Sequence, residues 1–228
     1  MTQLALDLGL APLPRLDNYM AAANVQTLAH LRRCAVDALR SAVPTYLWGD
    51  AGCGKTHLLR AVVAEVHALG QQVGWLDPHL SDPPSFDERW SVLVMDDCDL
   101  LSPTLQAVAF NWFVNAQTPV QGRPRWVLAA GAVPPTELKL REDLRTRLGW
   151  GQVFYLHPVD EADCRLALRQ AADERGLHLS DEVMAFMLNH FSRDLGSLME
   201  LLAHLDSYAL RTQRAITIPL IKSMLRTE

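Results

Sequence analysis

An α/β fold built on a parallel sheet is what the sequence predicts, from two observations. Short β-like runs alternate with helical patterns over the first two-thirds of the 228 residues. Several of those runs are continuously apolar, as strands buried on both faces must be. Taken in order, Thr45–Trp48, Gln72–Leu76, Val92–Asp96, Trp126–Ala130 and Val153–Leu156 give five strands. Helical patterns fall at 26–40, 55–69, 102–116 and 136–148. The stretch 77–85 carries three prolines, which forbid a regular element, and reads as a surface loop. Beyond Leu156 only helical segments follow, at 160–174, 181–191, 193–212 and 217–226. Asp160 and Ser180 stand where N-caps would stand and Gly176 where a helix would stop, so this part predicts a small helical bundle. Leu195, Leu198, Leu202 and Leu205 form its apolar seam. The domains are therefore a leader at 1–14, extended and mobile, an α/β domain at 15–157 and an all-helical domain at 158–228.

Composition narrows the function. The chain is 49% hydrophobic and 21% charged, ordinary for a globular protein, and its net charge of −5 argues against a surface built for sequence-independent phosphate contact. No apolar run approaches the roughly 18 residues a membrane span needs, and the start has no secretory pattern, so a cytoplasmic protein without membrane contact is expected. Cys34, Cys53, Cys98 and Cys164 show no CxxC spacing, which suggests neither a disulfide framework nor a zinc site, and most of them read as small buried hydrophobes. Trp48, Trp75, Trp112 and Trp126 lie in apolar runs and read as core. The eight histidines show no paired ligand spacing, and no nucleophile triad can be argued.

The most specific local signal follows the first strand. Gly49, Asp50, Ala51, Gly52, Cys53, Gly54, Lys55 and Thr56 fit GxxxxGK[ST], and His57 continues into a helical run. In a strand-loop-helix setting such glycines let backbone N–H groups turn inward on a phosphate, and the helix N-terminus adds partial positive charge. Lys55, one of three lysines, would reach the β and γ oxygens, and Thr56 would hold Mg²⁺. Some forty residues on, Asp96 and Asp97 end a buried strand. At the carboxyl edge of a parallel sheet Asp96 can join the Mg²⁺ shell and Asp97 can orient an attacking water; a simple strand cap is the plainer alternative.

Gly54-Lys-Thr-His-Leu-Leu, the Asp96-Asp97 pair, Glu142-Asp-Leu-Arg-Thr-Arg147-Leu-Gly-Trp-Gly151 and Phe191-Ser-Arg193-Asp-Leu-Gly-Ser-Leu together resemble the AAA+ domain of the bacterial replication initiator family DnaA, over residues 15–228. The resemblance implies a P-loop AAA+ fold with the helical domain as its lid. The initiators' amino-terminal oligomerisation domain and carboxy-terminal DNA-binding domain have no counterpart, an architecture similar to the Hda family of DnaA-related regulatory inactivators. Bound ADP or ATP with Mg²⁺ is then expected. Arg147 matches the arginine that projects into a neighbouring subunit's nucleotide site, and Arg193 matches the sensor that returns from the lid to the phosphates. The plainer reading of Arg147 and nearby Arg145 is a solvated helix face paired with Glu142 and Asp143. One departure stands out. The segment resembling the family's first sensor supplies Ala129, Ala130 and Gly131 where a polar side chain is expected, so weak hydrolysis at this protein's own site is expected.

In the leader, Gln3, Leu4, Leu6 and Leu8 resemble the short peptide by which bacterial proteins dock on the β sliding clamp. A mobile segment can seat leucines in an apolar groove while the Gln3 amide makes oriented hydrogen bonds. A tail that packs on its own domain is the alternative. The function these resemblances imply is negative regulation of replication initiation: the clamp on DNA recruits the protein, and Arg147 promotes hydrolysis of ATP held by the DnaA initiator. The competing reading is an autonomous AAA+ ATPase such as a helicase loader, with Asp97 activating water; a truncated DNA-binding initiator relative is a third. Monomer and homodimer are both left open.

Overall fold

The computed structural model describes residues 14–17, 19, 22–37, 41–119, 122–158, 160–190 and 195–224. The chain divides after Pro158 into two compact units. In the first, α1 (Val25–Val36) leads into β1 (Thr45–Trp48), α2 (Lys55–Ala68), β2 (Gln72–Leu76), β3 (Trp90–Met95), α3 (Pro103–Gln117), β4 (Trp126–Gly131), α4 (Glu142–Leu148) and β5 (Gln152–Tyr155). The five strands form one parallel sheet in the order β2-β3-β4-β1-β5. Because β4 lies between β1 and β3, the carboxyl ends of all three open on one edge, with Trp48 in register with Gly131 and Met95 with Ala129.

Hydrophobic burial accounts for the sheet. β3 and β4 are the most apolar runs, and Val92–Met95 and Trp126–Ala130 are fully buried. On one face Tyr46, Leu93, Met95, Val127 and Ala129 pack against Leu105, Ala109, Trp112 and Phe113 of α3 and Leu144 and Leu148 of α4. At the far end of β4, Arg125 is buried. Its guanidinium donates to the carbonyls of Trp90 (2.9 Å) and Glu88 (2.7 Å), pairs with the Glu88 carboxylate and lies over the Phe86 ring. One side chain thus ties the end of the proline-bearing loop to the sheet. All four cysteines are buried, and burial pushes the thiols of Cys53 and Cys98 up from their ordinary range.

Three expectations need correction. The helix at 136–148 is two pieces, a 3₁₀ turn at Pro135–Glu137 and α4, because residues 138–141 are not helical. Leu138 and Leu140 are buried there while Lys139 and Arg141 are exposed, the period of a strand rather than of a helix. The helix beginning at 26 ends at Val36, with Asp37 already extended. Of the four tryptophans read as core, Trp112 and Trp126 are buried, but Trp48 and Trp75 are only partly so; Trp75, on the edge strand β2, donates its Nε1–H to Asp77 (2.9 Å).

The second unit is helical: α5 (Glu161–Glu174), α6 (Asp181–His190), α7 (Leu195–Thr212) and α8 (Ile218–Met224). Asp160 accepts from the Asp163 N–H (2.7 Å) and Ser180 from the Val183 N–H (3.3 Å), so both helices start on the side-chain caps that the sequence indicates. Leu198, Leu202 and Leu205 of α7 are fully buried against Leu168, Met184, Met187 and Ile221.

At the end of β4, a Cβ on Gly131 would run into the Tyr46 hydroxyl, which donates to the Val133 carbonyl (3.0 Å). Gly131→Ala should therefore lower stability by about 1–3 kcal/mol through overpacking. Tyr46→Phe in the same chain should recover part of that loss, as read from urea unfolding midpoints.

Candidate functional site

The loop between β1 and α2 turns on Gly52 (φ +75°) and Gly54 (φ +92°), conformations that a side chain would strain. A Cβ on Gly54 would also strike the ring of Tyr19, which covers the loop. Tyr19 donates its hydroxyl to the Cys53 carbonyl (2.8 Å) and receives a hydrogen bond from Asn24 Nδ2 (3.0 Å). Asn24 in turn grips both backbone groups of His157, donating to its carbonyl and accepting from its N–H, each at 2.9 Å. A segment preceding α1 thus braces the loop against the strand exit from β5. His57 sits under the same segment, its Nε2 facing the Arg15 carbonyl at 3.2 Å, and burial lowers its imidazole pKa.

Lys55 is buried at the first position of α2, and its Nζ donates to the carbonyls of Gly49 (2.7 Å) and Asp50 (2.9 Å). The N-cap position of α2 is Gly54, which supplies no side-chain hydrogen bond, so the helix begins with amides that a ligand anion can take. Asp96, at the exit of β3, is buried and hydrogen-bonded to Thr56. Burial pushes its carboxyl up, Thr56 opposes that shift, and the charge of Asp97 adds to it. Asp97 itself holds a left-handed backbone conformation (φ +44°), and its N–H donates to Asp96 Oδ1 (3.0 Å). The structure therefore brings together Gly49 to His57 with Asp96 and Asp97 at one sheet edge. Among the described residues no group of three or more His, Cys, Asp and Glu could hold a metal by itself.

Between these parts lies the end of β4. Ala129 and Ala130 are buried in the sheet and Gly131 faces Tyr46, so none offers a polar group. A carboxylate nevertheless stands there: Asp99 Oδ1 accepts from the Ala132 N–H (2.7 Å) and lies 2.9 Å from where a Gly131 Cβ would be. Sequence reasoning missed Asp99, Tyr19 and Asn24, whose partners are remote along the chain.

Arg147 occupies the last turn of α4, part exposed. Its guanidinium sits 5.4 Å from the Phe110 ring centroid, 5.9 Å from Phe113 and 5.8 Å from Trp150. Among the described residues no carboxylate pairs with it: Asp143, offered by the sequence as its partner, pairs with Arg141 (2.8 Å). Arg193 and the leader residues Gln3, Leu4, Leu6 and Leu8 lie outside the described residues.

A phosphate-type loop, a strand-end acidic pair, a parallel sheet in the order β2-β3-β4-β1-β5 and a following helical unit define a P-loop AAA+ domain with a helical lid. The domain III structure of the Thermotoga maritima replication initiation protein DnaA is similar over 95% of this chain and 97% of its own, with a TM-score of 0.76 at 19% identity. AMPPCP-bound DnaA from Aquifex aeolicus is similar over 84% of this chain and 64% of its own (TM-score 0.65, 20% identity). The Thermotoga maritima RuvB Holliday junction branch migration motor is similar over 96% and 73% (0.69, 14%). The family described as "Hda, lid domain" matches residues 160–225, and an uncharacterized protein of Haemophilus influenzae is 30% identical over 92% of both chains. The helical unit thus matches the Hda lid, and the chain is an Hda-like protein with a DnaA-like AAA+ fold.

Because burial raises the Asp96 carboxyl, its neutral form is favoured in the folded chain. Its contribution to stability is complete below the ordinary carboxylate range and is lost as pH rises through the raised value. Asp96→Asn should raise Tm at pH 7 by about 2–4 °C in the ligand-free protein, about 1 kcal/mol for a chain of this size. That gain should shrink as pH falls through the raised value of Asp96, where the carboxyl itself becomes neutral. Scanning calorimetry across pH reads both.

Proposed function

We propose that this protein is a regulatory inactivator of the replication initiator DnaA, recruited by the DNA-loaded β sliding clamp and acting through Arg147 on ATP bound to the initiator. The observation that carries the reading is the state of Arg147. It is part exposed, lies against aromatic rings, and has no carboxylate partner among the described residues, as a guanidinium offered to a phosphate must be. The Hda lid match and the DnaA-like AAA+ fold support the choice of partner.

The step it assists occurs on the partner. A water oxygen attacks the γ-phosphorus as the bond to the β–γ bridging oxygen breaks, and charge builds on the departing ADP and on the γ oxygens. A guanidinium placed there is worth about 10³–10⁵ in rate. Gln3, Leu4, Leu6 and Leu8 are the clamp-docking residues of this reading, concentrating the protein where initiation has just occurred.

This protein's own site fits an adenine nucleotide. The glycine turns, the uncapped start of α2 and Lys55 suit the phosphates, and Thr56 and Asp96, already hydrogen-bonded to each other, suit Mg²⁺. When bound, Mg²⁺ neutralises phosphate charge. In this reading Gly49 to His57 cradle the ligand, Arg193 reaches it from the lid, and Asp97 orients water. Ala129, Ala130 and Gly131 add no polar group, which favours slow turnover and ADP as the resident ligand over the autonomous ATPase reading.

The test is the rate at which radiolabelled ATP on the initiator becomes ADP when this protein and loaded clamp are added. Arg147→Ala should retain nucleotide and clamp binding and lose about 10³-fold or more of the stimulation. An unchanged rate would remove the assignment. Gln3→Ala with Leu4→Ala should lose clamp pull-down at unaltered nucleotide affinity, and Lys55→Ala should lose nucleotide binding by equilibrium dialysis. Turnover of free ATP at about 1–100 s⁻¹ by this protein alone would favour the autonomous ATPase instead.

A further inference from the structure

We infer that Trp150 is the apolar anchor through which the Arg147 surface docks on a partner AAA+ domain carrying a nucleoside triphosphate, an inference that rests on the reading of Arg147 above. Trp150 is 71% exposed, more than any other large hydrophobic side chain among the described residues. Its backbone is nonetheless fixed. The Trp150 N–H donates to the Arg147 carbonyl and the Gly149 N–H to the Arg145 carbonyl, each at 3.2 Å. On the other side a Cβ on Gly151 would run into the Pro44 carbonyl, which holds β5 by accepting from the Gln152 N–H (2.9 Å). A tryptophan on so firm a turn, left in water while Trp112 and Trp126 of the same unit are buried, has a built position that its own unit does not cover.

Its neighbours say what covers it. With Arg141, Glu142, Asp143, Thr146 and Arg147 it lines an open groove of about 700 Å³, and its ring is 5.8 Å from the Arg147 guanidinium. Arg141 offsets Asp143, and the last turn of α4 carries Arg145 and Arg147 without an acidic residue. The two arginines and two carboxylates that line the groove balance overall, but Glu142 and Asp143 stand in the first turn of α4 and Arg147 in the last, so the end where Trp150 stands is the cationic one, which suits a surface presenting phosphate. Paired Trp and Arg, ringed by polar residues, is the make-up of a binding hot spot, where truncating the aromatic weakens association more than any rim contact does. Arg147 then supplies the charge that acts on the bound triphosphate, and Trp150 supplies the affinity that keeps it in place.

The test titrates the full-length protein into initiator preloaded with radiolabelled ATP, with DNA-loaded clamp present. Wild type, Trp150→Ala, Trp150→Phe and Arg147→Ala are compared. Trp150→Ala should need about tenfold or more protein for half-maximal stimulation, with the plateau rate kept, and Trp150→Phe should fall within about threefold of wild type. An unmoved midpoint for Trp150→Ala, or a lost plateau at an unmoved midpoint, would overturn the anchor. Full stimulation by Arg147→Ala would remove the reading of Arg147 itself. A flat response from Arg147→Ala with an unmoved Trp150→Ala midpoint removes only the anchor. Circular dichroism melts check folding, and Trp150→Gln replaces the alanine variant if that chain does not fold. Sedimentation of the protein alone covers the remaining occupant. If Trp150→Ala dissolves a homodimer and leaves the midpoint unmoved, the face belongs to a second copy and the proposal falls.

Discussion

β1 is hydrogen-bonded along both edges, to β4 on one side and β5 on the other, and the phosphate-type loop depends on that double constraint. A loop can hold glycines at positive φ and stack its amides at a helix start only if it leaves from a fixed point. The sheet supplies one anchor, and the contact of Tyr19 with the Cys53 carbonyl supplies a second from the opposite direction. Asn24 then joins that contact to His157, so the loop, the segment before α1 and the exit of β5 are held by one short chain of hydrogen bonds. Each bond is worth about 1 kcal/mol net. Their collective value is positional: displacement of the loop reaches the end of the α/β unit through two side chains, Tyr19 and Asn24.

The same economy governs Arg147. A free arginine side chain has several rotatable bonds, and ordering it on binding costs affinity. The rings of Phe110, Phe113 and Trp150 restrict it beforehand, each contact contributing about 0.5–1 kcal/mol at an exposed site. Aromatic faces do this without neutralising the charge. The neighbouring Arg141–Asp143 pair removes the carboxylate that would otherwise compete for it.

Elements whose signals are local were legible in the sequence. The glycine spacing at 49–56, the apolar runs of β3 and β4, the caps Asp160 and Ser180 and the leucine seam of α7 all correspond to observed features. The strap at 138–141 was equally local, a Leu-Lys-Leu-Arg alternation, but the helical pattern on its far side masked it. Contacts closed only by the fold left no trace. Asn24 and His157 are 133 residues apart, Tyr19 and Cys53 are 34 apart, and Asp99 meets Ala132 from across a strand. Trp150 lies within the motif at 142–151, yet its exposure is not legible there, because an aromatic beside an amphipathic helix carries no mark of which way it faces.

The four cysteines, buried without exception, have a practical side. Burial puts all four thiols out of reach and holds those of Cys53 and Cys98 in the protonated form, so in the native state they are poor nucleophiles toward maleimide or iodoacetamide. The molecule is in effect a chemically silent background. One cysteine introduced at the surface would carry a fluorophore or spin label by itself, with no need to strip native thiols from the core first.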